Sequence, residues 1–582
     1  NLDRHPTSRE GITCVVCHRI DQAYGKISGR LPIVEGSLYE PVFGPSGNDE
    51  LERAIDSGEF NLQTDPDRAG RGVHAEAQEF FQLPTSGLCG SCHDVNLVNG
   101  FRLEEAFSEY KHTPAAAAGI SCQDCHMGKT PGVPNGYAEG PAARVGDRET
   151  AVRKRTNHMF AGPDYSIIHP GIFPHNTEAQ ELASLREWLT FDFEAGWGTD
   201  DFEGTVPDDF EFPERWVEPD DRYDAADIIS ENLELLDEIG EQRLQVLQAG
   251  YQLGEIDVDK AGADGIDFKV ELKNGTSGHN VPTGFDAERV VWLQVTVTDS
   301  TGQVVYRSGD IDPNGDVRDS HSVYVHNGEM PADDDLLSLQ SRFLVRMVRG
   351  GEREQVLAVN YSPDPLPFLR PSTSSTILTG RPVGARKHRQ TVPTLGSKWG
   401  SYSVDGEALE GTTPPYYANV RIKAGMVPAN LVHEVEDVGF DYGMTPREVA
   451  DKVVEGHLVV QERSVDLSAG GRDTASAPPF DEPEHASHAE DDHGDDGHDG
   501  SRITDEYIPL QLDGFPQRPK PLLELGPPFL GTGRIGRGFT LPGGAVWTPS
   551  FLMFGQFRSG VSVIDAGGVR DTQWANRLDL FG

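Results

Sequence analysis

The stretch Ile120-Ser121-Cys122-Gln123-Asp124-Cys125-His126 decides how this chain is read. Its closing pattern, two cysteines three positions apart and a histidine directly after, recurs as Cys14-Val15-Val16-Cys17-His18 and Cys89-Gly90-Ser91-Cys92-His93. The three copies use all six cysteines of the chain. The spacing is that of c-type haem attachment. Paired thiols form thioethers with the two vinyl groups, and the adjacent imidazole reaches the iron from one side. The expected cofactor is therefore haem c in three copies, attached at Cys14, Cys17, Cys89, Cys92, Cys122 and Cys125, with His18, His93 and His126 as proximal iron ligands. A zinc site would need paired knuckles at matched spacing, and no second signal supplies them. A disulfide framework gives no reason for a histidine after every pair.

The bulk composition narrows the setting. The chain has 582 residues, enough for several domains, and only 36% of them are hydrophobic. Acidic residues outnumber basic ones 94 to 50, a formal charge of −44. Such a surface repels nucleic acid and anionic membranes and attracts basic partners, so redox proteins with basic docking surfaces are the expected partners. It also suits solvation in salty or alkaline surroundings. No run of 18 uncharged apolar residues occurs, so no membrane span is expected. Covalent haem attachment of this type follows export. A periplasmic or extracellular location is expected, with a leader removed ahead of Asn1 and further upstream sequence, including another haem, left open.

The expected fold is α+β and multidomain. Residues 1–175 are rich in Gly, Pro and turn residues and read as a loop- and helix-rich trihaem cytochrome c domain. Within it Leu103 to His112 reads as a helix with Leu103, Ala106, Phe107 and Tyr110 as its stripe. Residues 176–261 read as a helical segment, with one helix over Glu178 to Leu189, an acidic Pro-rich surface excursion over 194–221, and a long helix over Ala225 to Tyr251. Residues 262–468 read as an antiparallel β-sandwich-like domain, since Phe268–Leu272, Val290–Thr298, Val304–Tyr306, Arg342–Val348, Gln355–Val359, Asn419–Lys423 and His457–Val460 are short apolar or alternating runs between turn signals. Residues 469–502 form an acidic stretch whose His/Asp-rich part, 484–499, reads as a solvated flexible loop. Residues 503–582, Gly/Pro-rich with isolated aromatics, read as a segment wrapping an existing domain.

Each iron needs a sixth ligand or leaves a site open. The distal candidates are His112, His158, His74 and His279, with His5 behind them. On a helix from Leu103, His112 falls opposite the apolar stripe and is free to reach another group. His158 follows the last motif, and Met159 beside it is an alternative ligand that would raise the potential. His279 lies in the turn Ser277-Gly-His-Asn-Val-Pro-Thr-Gly284 at the head of the β-domain. As a ligand it would join two domains through a coordinate bond.

The segments Leu103–His112, Ala118–Met127 and Arg9–His18 resemble multihaem cytochromes c, particularly those related to the tetrahaem cytochromes of nitrifying bacteria. Gly278–Gly284 is similar to a Gly-His-x-x-Pro-Thr-Gly turn in β-domains appended to such cytochromes. The resemblance covers residues 1–175 well and 265–310 moderately. It implies closely stacked, mostly bis-histidine haems that pass electrons, with His112 and His158 where the family often places distal ligands. The chain departs in carrying three motifs where that family has four.

Electron transfer is thus the leading expectation: single electrons relayed by three haems outside the cytoplasm, with no catalytic residue. Its rival is a multihaem oxidoreductase with one open iron acting on a small nitrogen or sulfur compound, although no Cys-x-x-Cys-Lys variant is present. The β-domain and C-terminus also allow a homo-oligomer or filament with haem ligands shared across subunits.

Overall fold

Residues Gly265–Asn274 alternate between apolar and polar side chains, and in the computed structural model they form a strand whose apolar side chains are buried against a second sheet. The structure describes residues 9–22, 31–96 and 102–349 save positions 142, 146, 165, 320, 323, 326 and 327, then 353–358, 381–434 and 445–472, and four strands within 539–581. His5 and the His/Asp-rich stretch 484–499 lie outside the described residues. The chain divides into two units, Asn1–Pro509 and Leu510–Gly582.

The first unit combines short helices with antiparallel sheets. At its N-terminal end are α1 (Cys14–His18), β1 (Val42–Gly44) paired in parallel with β2 (Ala77–Glu79), α2 (Ser86–Gly90), β3 (Val95–Asn96) paired with β4 (Arg102–Glu104), α3 (Ala106–Tyr110), α4 (Pro114–Ala117) and α5 (Cys122–His126). The helix expected over Leu103 to His112 is therefore half strand and half helix. The Leu103/Ala106/Phe107/Tyr110 spacing fits a helix, but Arg102–Glu104 pairs across to Val95–Asn96, and the helix ends at Tyr110.

Next come α6 (Thr177–Leu182), α7 (Leu185–Trp188) and α8 (Pro219–Gly250). The single helix expected over Glu178 to Leu189 is broken at Ser184. There a capping box with Glu187 starts a new helix, because the serine side chain satisfies amides that would otherwise continue the first. The acidic run 194–221 is not a mere surface excursion. Its aromatics Trp197, Phe202, Phe212 and Trp216 join Trp188, Phe191, Ile228 and Ile229 in a separate core. Trp188 and Trp216 are wholly buried, and their indole N–H groups donate to Ala179 O (2.8 Å) and Glu187 O (3.0 Å). Proline at its first position starts α8, and its 32 residues span about 48 Å.

The helix passes straight into β5 (Tyr251–Gly262), which pairs with β6 (Gly265–Asn274). β7 (Val290–Thr298), β8 (Val304–Ser308), β9 (Arg342–Arg349), β10 (Arg353–Ala358), β11 (Arg381–His388), β12 (Ser397–Asp405), β13 (Tyr417–Gly425), α9 (Pro446–Glu455), β14 (Leu458–Asp466) and β15 (Gly471–Arg472) follow. One sheet runs β12-β6-β5-β15 and a second β8-β7-β13-β14; a third, three-stranded, runs β10-β9-β11. The two four-stranded sheets bury Ile256, Phe268, Val270, Leu272, Leu293, Val295, Val420 and Ile422 in one common core. In the second unit, where a wrapping segment was expected, the described residues include a long hairpin, β16 (Phe554–Ala566) against β17 (Val569–Phe581). Among the described residues no helix is long and apolar enough to cross a membrane.

Candidate haem-binding site

The three cysteine–histidine motifs each begin as a short helix or helical turn. α1 and α5 carry both cysteines of their motifs at positions three apart, so the thiols share one helix face. α5 starts with a capping box between Ser121 and Asp124. It is fastened to α2 by Cys122 N–H donating to Ser86 Oγ (3.0 Å) and by the buried Gln123 amide donating to Leu83 O (3.0 Å) and Thr85 O (2.8 Å). This brings two motifs together: the thiols of Cys89 and Cys122 are hydrogen-bonded to each other, and Cys17 is within electrostatic reach of Cys89 and Cys92. Sharing one hydrogen drives the Cys89 thiol up and Cys122 down, and burial raises Cys125 to about 11. All six cysteines are unpaired and none is buried, although free cysteine is among the most buried residue types.

The histidines after the motifs are alike in one respect. His18 donates Nδ1–H to Phe43 O (2.7 Å), His93 to Glu104 Oε1 (2.9 Å) and His126 to Ala161 O (3.0 Å). An imidazole whose Nδ1 carries the hydrogen presents a lone pair at Nε2, and a metal-bound histidine is usually fixed by such a bond from its other nitrogen. His169 is the contrast: its Nε2–H donates to Phe191 O and its Nδ1 accepts from Gly171 N–H, so both nitrogens are used within the fold. Glu104 raises the His93 pKa through the hydrogen bond, whereas burial lowers that of His126.

The distal candidates separate clearly. His279 faces His126, the two rings lying 6.3 Å apart between centroids and inclined by only 19°. Two imidazole nitrogens each about 2 Å from one shared metal, with ring centres ~1.1 Å behind them, would put the centroids at most about 6.2 Å apart. His279 also donates Nδ1–H, to Asn280 O (2.7 Å), and burial pulls its pKa to about 4, holding it neutral as a ligand must be. His74 lies near His18, whose charge adds to burial in lowering its pKa. His158 is exposed, donates Nδ1–H to Thr156 O (3.0 Å) and meets the Phe160 ring edge-on. His112 is exposed in the turn beyond α3, so the helix-face argument that singled it out does not apply.

The turn carrying His279 is clamped from both sides. Asn274, buried in β6, donates its amide to His279 O (2.9 Å) and Val392 O (3.2 Å). From the motif segment, Ala115 N–H donates to Ser277 O (3.1 Å), and Glu109 accepts from Thr283 Oγ1 (2.7 Å), Asn280 N–H (3.3 Å) and Arg389 Nη1 (2.7 Å). Lys387 donates to Leu103 O (3.1 Å) and pairs with Asp286. The sequence reading missed Glu104, Glu109, Lys387 and Arg389. Glu104 and Glu109 lie inside the very segment that carries the family resemblance.

The donor set fits haem c: unpaired thiols on one helix face, imidazoles with Nε2 presented, and one pair of rings at metal-bridging distance. No protein family and no curated protein matches the chain. Among solved structures, it is similar to a penta-heme cytochrome c552 from Thermochromatium tepidum, at 15% identity and a TM-score of 0.38 over 80% of this chain and 79% of that one. A likeness that loose leaves the reading to the residues themselves.

Proposed function

We propose that this protein is an electron carrier holding three covalent haems c, anchored by Cys14/Cys17, Cys89/Cys92 and Cys122/Cys125 with His18, His93 and His126 on the irons. The His126–His279 pair carries the reading, because two neutral, nearly parallel imidazoles with centroids 6.3 Å apart are close enough to hold one metal between them. Bound haem supplies one-electron chemistry at iron, and the protein sets each potential through ligands, burial and charge. The contact between Cys89 and Cys122 supports hopping between neighbouring groups, since those thiols belong to different motifs and would hold two haems near each other. His74 is the distal residue that proximity to His18 favours for the first group. The surface charge of −44 favours basic redox partners outside the cytoplasm.

The test is intact-mass analysis of protein matured in cells competent for cytochrome c assembly, followed by spectroscopy of His279→Ala. Three added porphyrins are expected, as is conversion of one haem from low-spin to a high-spin form that binds carbon monoxide. A polypeptide without added tetrapyrrole would end the reading.

A further inference from the structure

One of the three motif histidines differs from the others in what accepts its Nδ1 hydrogen. For His18 and His126 the acceptor is a neutral backbone carbonyl; for His93 it is the Glu104 carboxylate at 2.9 Å. The arrangement is built in. Glu104 ends β4, whose pairing with β3 aims the side chain back at the motif, and its side chain is only 10% exposed. The β-domain turn closes over it: a Cβ placed at Gly284, whose φ is +71°, would sit 3.2 Å from Glu104 Oε1. Phe107 N–H, three residues beyond Glu104 at the start of α3, donates to His93 O (3.0 Å) and ties that helix to the same histidine.

We propose that Glu104 tunes the group held by Cys89, Cys92 and His93, making it the lowest-potential member of the relay. The proposal rests on the haem-carrier reading above. A carboxylate accepting from Nδ1 shifts electron density toward Nε2 and makes the imidazole a more basic ligand. A fixed negative charge on the residue behind His93 would act in the same direction on an iron that His93 holds, favouring the oxidised, more positive state. A backbone carbonyl provides the orientation without the charge. The one-electron couple is Fe(III)/Fe(II), and the hydrogen stays between Nδ1 and the carboxylate in both states. Glu104 touches His93 and would act on the iron through it, so it is a positioning and tuning residue.

Glu104→Gln keeps an acceptor oxygen and the side-chain length but removes the charge. Potentiometric titration of the holoprotein, followed optically and by electron paramagnetic resonance, resolves the three couples. The lowest is expected to rise by at least a tenfold change in its reduction equilibrium, about 59 mV for one electron. The other two should move less than threefold, and the low-spin ferric signal of that one haem should widen in g-spread as its ligand loses anionic character. Glu104→Asp, which keeps the charge, should shift the same couple in the same direction by less, and it serves where the Gln variant fails to mature. Unchanged couples in a fully haem-loaded variant, or movement of a couple other than the lowest, would overturn the assignment of Glu104. Absence of haem from the unsubstituted protein would instead overturn the carrier reading, so the two failures are distinct.

Discussion

Replacing Lys387 by Met tests whether the β-domain and the motif segment are joined as described. Lys387 and Asp286 are paired with side chains 5% and 4% exposed, so both charges have left water. The ammonium also donates to Leu103 O (3.1 Å), next to Glu104, and Asp286 accepts a second bond from Ser341 Oγ (2.6 Å). Without Lys387 the carboxylate stays buried with that one side-chain donor. Breaking such a pair costs about 3–5 kcal/mol, because the remaining charge is uncompensated. For a domain of this size about 4 kcal/mol corresponds to a fall of ~8–16 °C in Tm. Calorimetry of the holoprotein measures it, read on the transition of the β-domain because a chain of several parts need not unfold in one step. Adding Asp286→Asn removes the stranded charge and leaves a side chain that still accepts from Ser341, so the double variant should regain more than half of the loss. A single variant within about 1 kcal/mol of the parent, or a double variant no better than the single, would refute the buried-pair reasoning.

Three further outcomes follow from contacts elsewhere in the structure. Gly90→Ala puts a Cβ 2.4 Å from the Phe107 ring and should cost about 1–3 kcal/mol in thermal unfolding, largely relieved by adding Phe107→Leu. Trp188→Ala empties the centre of the aromatic core and leaves Ala179 O without its indole donor, so a loss of ~3–5 kcal/mol is expected by denaturant unfolding. The His457 ring, packed edge-on against Trp292, is held by burial at a pKa of about 3 against 6.5 when unfolded. Its stabilising contribution is therefore complete above pH 6.5 and falls as the pH drops toward 3, by up to about 1.4 kcal/mol per unit, a slope that His457→Gln should remove when Tm is followed against pH. Asp312, raised to about 6 by burial, acts in the opposite sense in both proteins and cancels in their difference.

What could be seen in advance follows from how local each cause is. Thioether attachment fixes its own spacing, so the cysteines and the histidines beside them stand out as text. β6 is legible because it buries one alternating face, and β7 because it is a β-branched run buried on both faces. β5 is not, since α8 enters it without a loop and Tyr251 fits the end of a helix as well as the start of a strand. The break at Ser184 was written in Ser184 and Glu187 but lay under a longer helical period. His279 stood among the distal candidates, but nothing local assigned it to His126. The pairing depends on a turn far along the chain reaching the motif segment, and only the packing of the two reveals it. The same holds for Glu104, which spacing assigned to a helix beside Leu103 and which strand pairing instead directs at His93.

On the proposed reading, the clamped turn would give a small haem-bearing segment a reason to sit against so large a β-domain. A ligand on a free loop must be ordered when it binds, and fixing each residue costs about 1–2 kcal/mol of backbone entropy. His279 is ordered beforehand. Asn274 holds its carbonyl from the strand side, while Glu109 and Ala115 hold the neighbouring residues from the motif side. Its own Nδ1–H bond sets which nitrogen is presented. The hydrogen bonds that dock the β-domain are thus the bonds that aim the imidazole, and the adjoining Gly284 covers the carboxylate behind His93. If the proposed haems are bound, one interface would govern both the placement of His279 and the basicity of His93. A substitution that loosens it, such as Glu109→Ala, should disturb two haems at once, although Glu109 neighbours neither iron-binding nitrogen in the chain.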